Sequence, residues 1–444
     1  MPKRYILLLL FFVTLIATIV FTRKKEVDLS QLKPQIGIVS TSSEWINTQN
    51  AISGMEGQLK RNPHNSSEIK LKLAQAYIQQ GRVTGEHSYY DALSFALVNE
   101  VLKEEPENFE ALCCKATLQA SAHQFTEALQ TANEAIKINP HNSYIYGVKC
   151  DALVELGKYD EAIAIGDKMI SIRPDIRSYS RISYLREIIG DYPGAIDAMT
   201  LALQAGFPGL EQTEWVRVYL GHLYEITGKT KEAEMHYNQA LTNRKFYAPA
   251  LVGLARIEKS KNNYASAIAH YKKAIEFMED YSFHHELALL YRLTNKKEDS
   301  EKEFQIALEL LLKHKHPTLE ENGIGHNIDR ELALVYTSMN ENEKALNSAF
   351  AEYENRPNNI DVNEVLAWCC YKMLDYKSAQ SYILNALRTK SKNAALWYKA
   401  GLIFKANKYD ELGNKYLAIA LKTNPSLDTV VLNQKANTTN IVMR

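Results

Sequence analysis

The chain has 444 residues, and a chain of this length is usually too long for one small domain. Lys and Arg total 52 and Asp and Glu also total 52, so the formal net charge is zero. That balance argues against nucleic acid as a partner, because polyanion-binding proteins usually carry a basic excess. The five cysteines are an odd number and include no CxxC pair, which argues against a disulfide framework or a zinc ribbon.

The amino terminus carries a candidate membrane segment. Tyr5 to Thr22 contains no charged residue and is flanked by Lys3-Arg4 and by three further basic residues. Eighteen helical residues span about 27 Å, close to the hydrocarbon core of a bilayer at about 30 Å. The run ends in Ile-Val-Phe-Thr, which lacks the small residues of a cleavage site. We therefore expect residues 1–25 to be a single-pass anchor, with a cleaved signal peptide as the alternative.

The side of the membrane is indicated less directly. Basic residues stand on both sides of the span, so the positive-inside rule gives nearly a tie. A short positive amino terminus before a long domain favours an extracytoplasmic, periplasmic location for the rest of the chain. Residues 26–44 are polar and contain Pro34 and Gly37, and we expect them to be a tether.

A repeating pattern occupies residues 64–427, after a predicted capping helix at 45–63 and before a predicted tail at 428–444. Between Ser143 and Pro174, two helical patterns meet at Gly157, and Ala162 lies in the second. The small residue recurs about every 34 positions, the period of a helix–turn–helix repeat. Its ten predicted positions are Ala92, Ala128, Ala162, Ala195, Ala233, Ala267, Ser300, Ala345, Ala379 and Leu412. The spacing predicts about ten repeats, with a small residue where the paired helices cross.

The first helix of several repeats carries its own pattern, Leu-Ala/Gly-x-x-Tyr, as in Leu220-Gly221 with Tyr224 and Leu287-Ala288 with Tyr291. These positions share one face of a helix. Together the two patterns resemble the tetratricopeptide repeat (TPR) over about four-fifths of the chain. The resemblance implies an all-α, right-handed α-solenoid of about ten TPRs that acts in protein–protein interaction.

Motifs for chemistry are absent from the sequence. It has no GxSxG elbow, P-loop, HExxH pair or GxGxxG ahead of a helix. We therefore predict no catalytic residues, no cofactor and no metal site, and we expect that the chain is not an enzyme.

The TPR resemblance also implies where a partner would bind. In such arrays the first helices line a concave groove, and the second, fifth, ninth and twelfth positions of each repeat face into it. The candidate partner-binding residues are Tyr184, Trp215, His222, Arg256, Arg292, Arg330, Trp368, Tyr371 and Trp397. Aromatic residues are typical interface anchors, although packing between repeats is the alternative for Trp397. Leu71 and Gln75 replace the lysine and asparagine of the chaperone-tail clamp, which argues against that ligand.

Several functions are compatible with these features. We favour a non-catalytic scaffold, tethered to a membrane through Tyr5–Thr22, whose groove binds a partner helix or peptide. The alternatives are an envelope-assembly or regulatory factor dedicated to one membrane enzyme, and a secreted or periplasmic ligand-binding protein. The order of anchor and repeats is similar to that of the bacterial lipopolysaccharide assembly regulator, whose four zinc cysteines have no counterpart after Cys370.

Overall fold

The computed structural model describes residues 43–61, 66–315 and 326–427, and within these ranges the regular structure is helical. A single helix, α1 (Ser43–Arg61), precedes the array. The first five helix pairs are α2 (Ser67–Thr84) with α3 (His87–Glu104), α4 (Phe109–Ser121) with α5 (Phe125–Ile138), α6 (Ser143–Glu155) with α7 (Tyr159–Ile172), α8 (Ile176–Ile188) with α9 (Tyr192–Gln204), and α10 (Glu211–Ile226) with α11 (Thr230–Asn243).

Five further pairs complete the described array. They are α12 (Ala248–Ser260) with α13 (Tyr264–Phe277), α14 (Tyr281–Leu293) with α15 (Lys297–Lys315), α16 (Asp329–Ser338) with α17 (Asn342–Asn355), α18 (Ile360–Lys372) with α19 (Tyr376–Ala386), and α20 (Ala394–Ala406) with α21 (Asp410–Thr423). A short 3-10 turn, Leu387–Thr389, follows α19. Each pair is one repeat, numbered one to ten, and neighbouring repeats stack to form an α-solenoid.

Asx side chains start many of the first helices. Asn142 accepts a hydrogen bond from the backbone N–H of Tyr144, and Asn393 accepts one from Leu396. Asp175 accepts from two amides at the start of α8 and forms a capping box with Ser178. These acceptors satisfy amides that have no partner inside the helix, a contribution of about 1 kcal/mol for each cap. The linkers between repeats therefore specify where the next helix begins.

Small residues allow the paired helices to cross closely. Ala128, Ala162 and Ala195 have no exposed surface at these crossings. In repeat ten the crossing residue is Gly413, where a Cβ would lie 2.8 Å from the carbonyl oxygen of Gly401. Leu412, which the periodicity predicted for this position, is 39% exposed, so that assignment was wrong by one residue.

Repeat one differs from its predicted form in a similar way. The hydroxyl of Ser94, which has no exposed surface, donates to the carbonyl oxygen of Ala74 in the opposite helix. Ser94, rather than the predicted Ala92, is therefore the crossing residue. The turn between its two helices is short, since α2 continues through Thr84 and α3 starts at His87. Both helices of the first repeat have 18 residues, against 13 and 14 in the second repeat.

Helix α1 packs against the first repeat. Ile52 is fully buried, Leu59 is nearly so, and the hydroxyl of Tyr77 in α2 donates to Glu56 at 2.7 Å. In the ranges that the structure describes, no helix is long and apolar enough to cross a membrane. The predicted anchor Tyr5–Thr22, most of the predicted tether and the predicted tail at 428–444 lie outside the described residues.

The array coils far enough to contact itself. Asn359, between repeats eight and nine, donates through its side-chain amide to the carbonyl oxygen of Glu155 in repeat three at 3.0 Å. The two residues are 204 positions apart in the chain. The solenoid is thus a superhelix in which later repeats stack on earlier ones.

Candidate partner-binding site on the inner face

The first helix of each repeat lies on the inner side of the superhelix. First helices of neighbouring repeats contact each other directly: α4 contacts α6, and α6 contacts α8. A second helix contacts the first helix of its own repeat and the first helix of the next repeat. The side on which helices converge is the concave side of a solenoid. The inner face is therefore built from α2, α4, α6 and the other first helices.

Ion pairs join neighbouring first helices across this face. Arg181 forms two hydrogen bonds to Asp151 at 2.8 and 2.7 Å, linking repeats three and four. Lys399 forms one hydrogen bond of 2.7 Å to Glu364 and so links repeats nine and ten. Such half-buried pairs fix the geometry of the stack, because each would leave a poorly hydrated charge if its partner were removed.

Arg256, a predicted groove residue, is one of these links. It donates to both oxygens of Glu225, at 2.9 and 3.0 Å, and so joins repeats five and six. The same carboxylate accepts a hydrogen bond of 2.6 Å from the hydroxyl of Tyr237. The guanidinium of Arg256 is therefore committed within the protein, and its contribution to the inner face is to order Glu225 and its surroundings.

An aromatic row runs along α10. The ring centroids of Trp215 and Tyr219 are 5.4 Å apart, and those of Tyr219 and His222 are 5.9 Å apart. Spacings of four and three residues place these side chains on one helix face. Trp215 is 37% exposed at the end of the row, with the guanidinium of Arg82 5.9 Å from its ring. It is a large aromatic side chain presented to solvent beside polar groups, the pattern of an interface anchor.

Titratable groups beside this row have lost much of their hydration. Burial raises the pKa of Glu187 to about 7, although the hydroxyl of Tyr219 donates to it at 2.8 Å and opposes the shift. Burial lowers the pKa of His222 to about 4, with the charge of Arg256 adding to the effect. Burial also raises the pKa of Tyr184 and of Asp361. The inner wall of repeats four to six is therefore a poorly hydrated environment with a neutral imidazole near pH 7.

The last two repeats contain a second aromatic group. The rings of Trp368 and Tyr371 stack with centroids 4.9 Å apart, and Trp368 is only 7% exposed. Trp397 packs against the core and meets Tyr416 edge to face at 6.4 Å. Trp368 and Trp397 contribute mainly to packing in this structure, and Tyr371 is partly buried against the same core.

Two arginines that the sequence predicted to face the groove, Arg292 and Arg330, lie in repeats seven and eight. Arg292 donates to the carbonyl oxygen of Ser338 at 2.5 Å and lies over the ring of Phe304 at 4.6 Å. Arg330 pairs with Glu331 at 3.2 Å, and the neighbouring charge of Asp361 helps to raise the pKa of its guanidinium. Arg292 therefore links repeats seven and eight, whereas Arg330 pairs within α16 and interacts electrostatically with Asp361 of repeat nine.

An open cavity of about 440 Å³ lies between the starts of α6 and α8. The guanidinium of Arg177 lies over the ring of Tyr144 at 5.3 Å on its wall, and Arg181 also lines it. Its size suits one or two side chains of a bound segment. It extends the polar and aromatic surface of the inner face towards repeat three.

The structure brings four of the nine predicted residues together. Tyr184, Trp215, His222 and Arg256 lie on the walls of repeats four to six, connected through residues that the sequence analysis did not name, chiefly Tyr219 and Glu225. Tyr219 could have been predicted from the sequence, because its spacing from Trp215 and His222 places all three residues on one helix face. Trp368, Tyr371 and Trp397 form a separate group.

The described part of the chain offers little else for chemistry. All five cysteines are free thiols and buried, and burial raises the pKa of Cys114 and Cys369 to about 11. No cluster of three or more potential metal ligands occurs in the described ranges.

Paired helices that cross at small residues and stack through their first helices define an α-solenoid of helix–turn–helix repeats. Tetratricopeptide-repeat family models match residues 119–189, 219–246 and 248–280, which lie in repeats two to six. Anaphase-promoting complex subunit 7 of Arabidopsis thaliana is 24% identical over 216 residues, covering 48% of this chain and 38% of that protein. The Hsp70-Hsp90 organizing protein of Triticum aestivum is 31% identical over 100 residues, 22% of this chain and 17% of that protein.

The chain therefore spans well under half the length of these two relatives. Among solved structures, human IFIT1 in its dimer with PPP-AAAA has 15% identity and a TM-score of 0.48, covering 86% of this chain and 80% of that one. The APC/C heterotetramer Cut9–Hcn1 gives 14% identity and a TM-score of 0.37, covering 88% and 93%. A TPR protein of Parabacteroides merdae gives 16% identity and a TM-score of 0.43, covering 57% and 96%.

Proposed function

We propose that this protein is a non-catalytic scaffold that binds a helix or an extended segment of a partner protein along its inner face. The observation that carries the proposal is the aromatic row of α10, in which Trp215 is 37% exposed although it lies beside ordered polar groups. A rigid aromatic side chain next to poorly hydrated polar groups supplies both apolar area and orientation at low entropic cost.

The adjoining surface supports a protein segment as the ligand. The cavity beside Tyr144 and Arg177 lies on the same inner face, two repeats before Trp215. Neighbouring arginines such as Arg181 and Arg256 are paired with carboxylates inside the protein. A mixed, internally neutralised surface suits a peptide with apolar and polar side chains better than a polyanion.

The experiment is affinity capture of the tagged full-length chain from detergent-solubilised membranes, followed by binding measurements with the purified partner. Trp215→Ala should lower the affinity at least tenfold without changing the thermal midpoint. Phe207→Ala is the matched control, because Phe207 is 74% exposed on the loop before α10. Equal affinity of the Trp215 variant and the wild-type protein would contradict the proposal. Trp368, also predicted to bind the partner, is less suitable for this substitution because its side chain is buried.

We further propose that Tyr5–Thr22 tethers the scaffold to a membrane, with the array on the extracytoplasmic side. The absence of charge over eighteen residues and the flanking basic residues support this. Full-length protein should stay in the membrane pellet after alkaline carbonate extraction, and a variant without residues 1–25 should not. Release of both by carbonate would contradict the tether. Protease protection in spheroplasts tests the orientation separately.

A further inference from the structure

Five turns within the first half of the array lie against five linkers of the second half. In repeat one, a Cβ on Gly85 would lie 3.3 Å from the side chain of Met278, in the linker after repeat six. In repeat two, the carbonyl oxygen of Ala122 accepts a hydrogen bond from the backbone of Asn327 at 3.4 Å. The imidazole of His123 bonds the carbonyl oxygen of Asn327 at 2.5 Å. These contacts join repeats that are five positions apart in the array.

The same relationship continues through repeats three, four and five. In repeat three, a Cβ on Gly157 would collide with the carbonyl oxygen of Asn358, in the linker after repeat eight. Arg388, in the segment after repeat nine, adds a hydrogen bond of 2.7 Å to the carbonyl oxygen of Gly157. In repeat four, a Cβ on Gly190 would lie 2.7 Å from the carbonyl oxygen of Lys390, also after repeat nine. A Cβ on Gly228 would lie 3.1 Å from the ring of Pro425, in the segment after repeat ten. Each turn therefore contacts the linker that follows the repeat five places on. We call this line of contacts the seam.

The sequence of the turns follows the seam. Each turn has one residue with positive φ, and repeats one, three, four and five have glycine there, with His123 in repeat two. In repeats six to ten the equivalent residues are Asn262, Asn295, Asn340, Leu374 and Lys408, all exposed. Asparagine tolerates this conformation, so the backbone alone does not require glycine. At Gly157 and Gly190 the absence of a side chain is needed, because a Cβ there would collide with the backbone of the second half.

Polar contacts strengthen the seam at repeat three. The hydroxyl of Tyr159 accepts a hydrogen bond of 2.9 Å from the backbone N–H of Ile360, and Arg356 pairs with Glu155. Arg388 lies over the ring of Tyr159 at 4.9 Å, and within the second half it donates to the carbonyl oxygen of Asn358 at 2.5 Å. These are specific contacts between two surfaces that a simple repeat array, held together by nearest neighbours, would leave apart.

We propose that the seam is a latch that holds the two turns of the superhelix together, and that its release opens the inner face. In the latched form the distance between repeats three to five and eight to ten is fixed. In the released form the array lengthens along the axis of the superhelix, and the inner walls of the two turns separate. The proposal concerns the shape of the array and holds whether or not the inner face binds a partner.

The test is a pair of substitutions that place asparagine in the same turn conformation inside and outside the seam. Gly157→Asn inserts a side chain where a Cβ would already collide with the backbone of Asn358, and Leu374→Asn is the control. Small-angle X-ray scattering of the full-length chain in detergent should give a larger radius of gyration for Gly157→Asn only. Hydrogen exchange in residues 356–360 should become about tenfold faster, the scale of one lost hydrogen bond.

A second, milder variant separates latch release from unfolding. Arg388→Ala removes from an exposed side chain the hydrogen bond that crosses the seam to Gly157. Arg186→Ala is its control, since Arg186 bonds Gly194 within its own repeat. Circular dichroism establishes that each variant keeps its helices. Faster exchange in 356–360 for Arg388→Ala but not for Arg186→Ala is the expected result. An unchanged radius of gyration and unchanged exchange in both folded seam variants would overturn the latch.

Discussion

The guanidinium of Arg388 donates to the carbonyl oxygen of Gly157 at 2.7 Å although the two residues are 231 positions apart in the chain. Repeat arrays are usually stabilised by contacts between neighbouring repeats only. Here a second set of contacts connects repeats five or six places apart, so the stability of one half of the array depends on the other. Residues on the inner face consequently lie inside a superhelix of stacked turns.

Tyr237 provides a direct test of packing inside repeats five and six. It has no exposed surface, and a Cβ on Gly253 would lie 2.6 Å from its ring. Gly253→Ala should therefore destabilise the protein by about 1–3 kcal/mol, the range for overpacked sites. Urea unfolding followed by circular dichroism measures the change.

The control for this substitution is Gly57→Ala in α1. No atom lies within 4 Å of a Cβ built on Gly57, so alanine should be neutral or stabilise by about 0.5–1 kcal/mol through its better helix propensity. If Gly253→Ala were as stable as the wild-type protein, the close approach of α12 to Tyr237 would be contradicted.

Arg256 should stabilise the stack more than an exposed cation does. Arg256→Ala would leave the carboxylate of Glu225 with the hydroxyl of Tyr237 but without its cation, at a cost of about 1–3 kcal/mol after allowing for partial solvent screening. Lys72→Ala breaks the pair with Glu68, whose side chains are 62% and 78% exposed, and should leave the unfolding midpoint unchanged. Equal midpoints for the two variants would refute the structural role of Arg256.

The raised pKa of Glu187 predicts a specific dependence of stability on pH. Its folded pKa is about 7 against an ordinary value of 4.5, so the folded state binds more protons between these values. The stability that this group contributes is present below pH 4.5 and is lost as the pH rises through about 7. Glu187→Gln keeps a neutral side chain, and should therefore be more stable than the wild-type protein at pH 8, by roughly 1–2 kcal/mol.

The measurement for Glu187→Gln is the free energy of unfolding at pH 5 and pH 8. We expect little difference from the wild-type protein at pH 5 and a clear gain at pH 8. Tyr219 and Asp361 face the same carboxyl group, so Tyr219→Phe and Asp361→Asn are useful companions. A gain of the same size at both pH values would show that Glu187 is not protonated in the folded state.

Much of the fold could be predicted from the sequence because local rules dominate a repeat array. Small residues at helix crossings, Asx caps and turns with positive φ each act within one repeat. The small residues and the turns recur in every repeat, and Asx caps start six of the ten first helices. The errors at Ala92 and Leu412 arose where the pattern is weakest. In repeat one both helices are extended, and in repeat ten a glycine stands next to the leucine that was chosen.

The candidate site was less accessible to sequence reasoning. Positions on the first helices indicate which side chains face inward, but not which of them are committed to other contacts. Arg256 is held by Glu225, and Trp368 is buried, whereas Trp215 is exposed. The seam depends on how far the superhelix coils, a long-range property set by small rotations at every repeat. Its one local signal was the restriction of glycine to the turns of early repeats.

In the proposed function, a partner protein lies on the inner face beside Trp215. A photoreactive benzophenone side chain introduced at position 215, and separately at position 350 in α17, tests this directly in cells. Phe350 is 39% exposed on a second helix and so presents a comparable surface away from the inner face. We predict a discrete crosslinked partner from position 215 and none of that mass from position 350. Crosslinking of the same partner from position 350, with none from position 215, would contradict the claim.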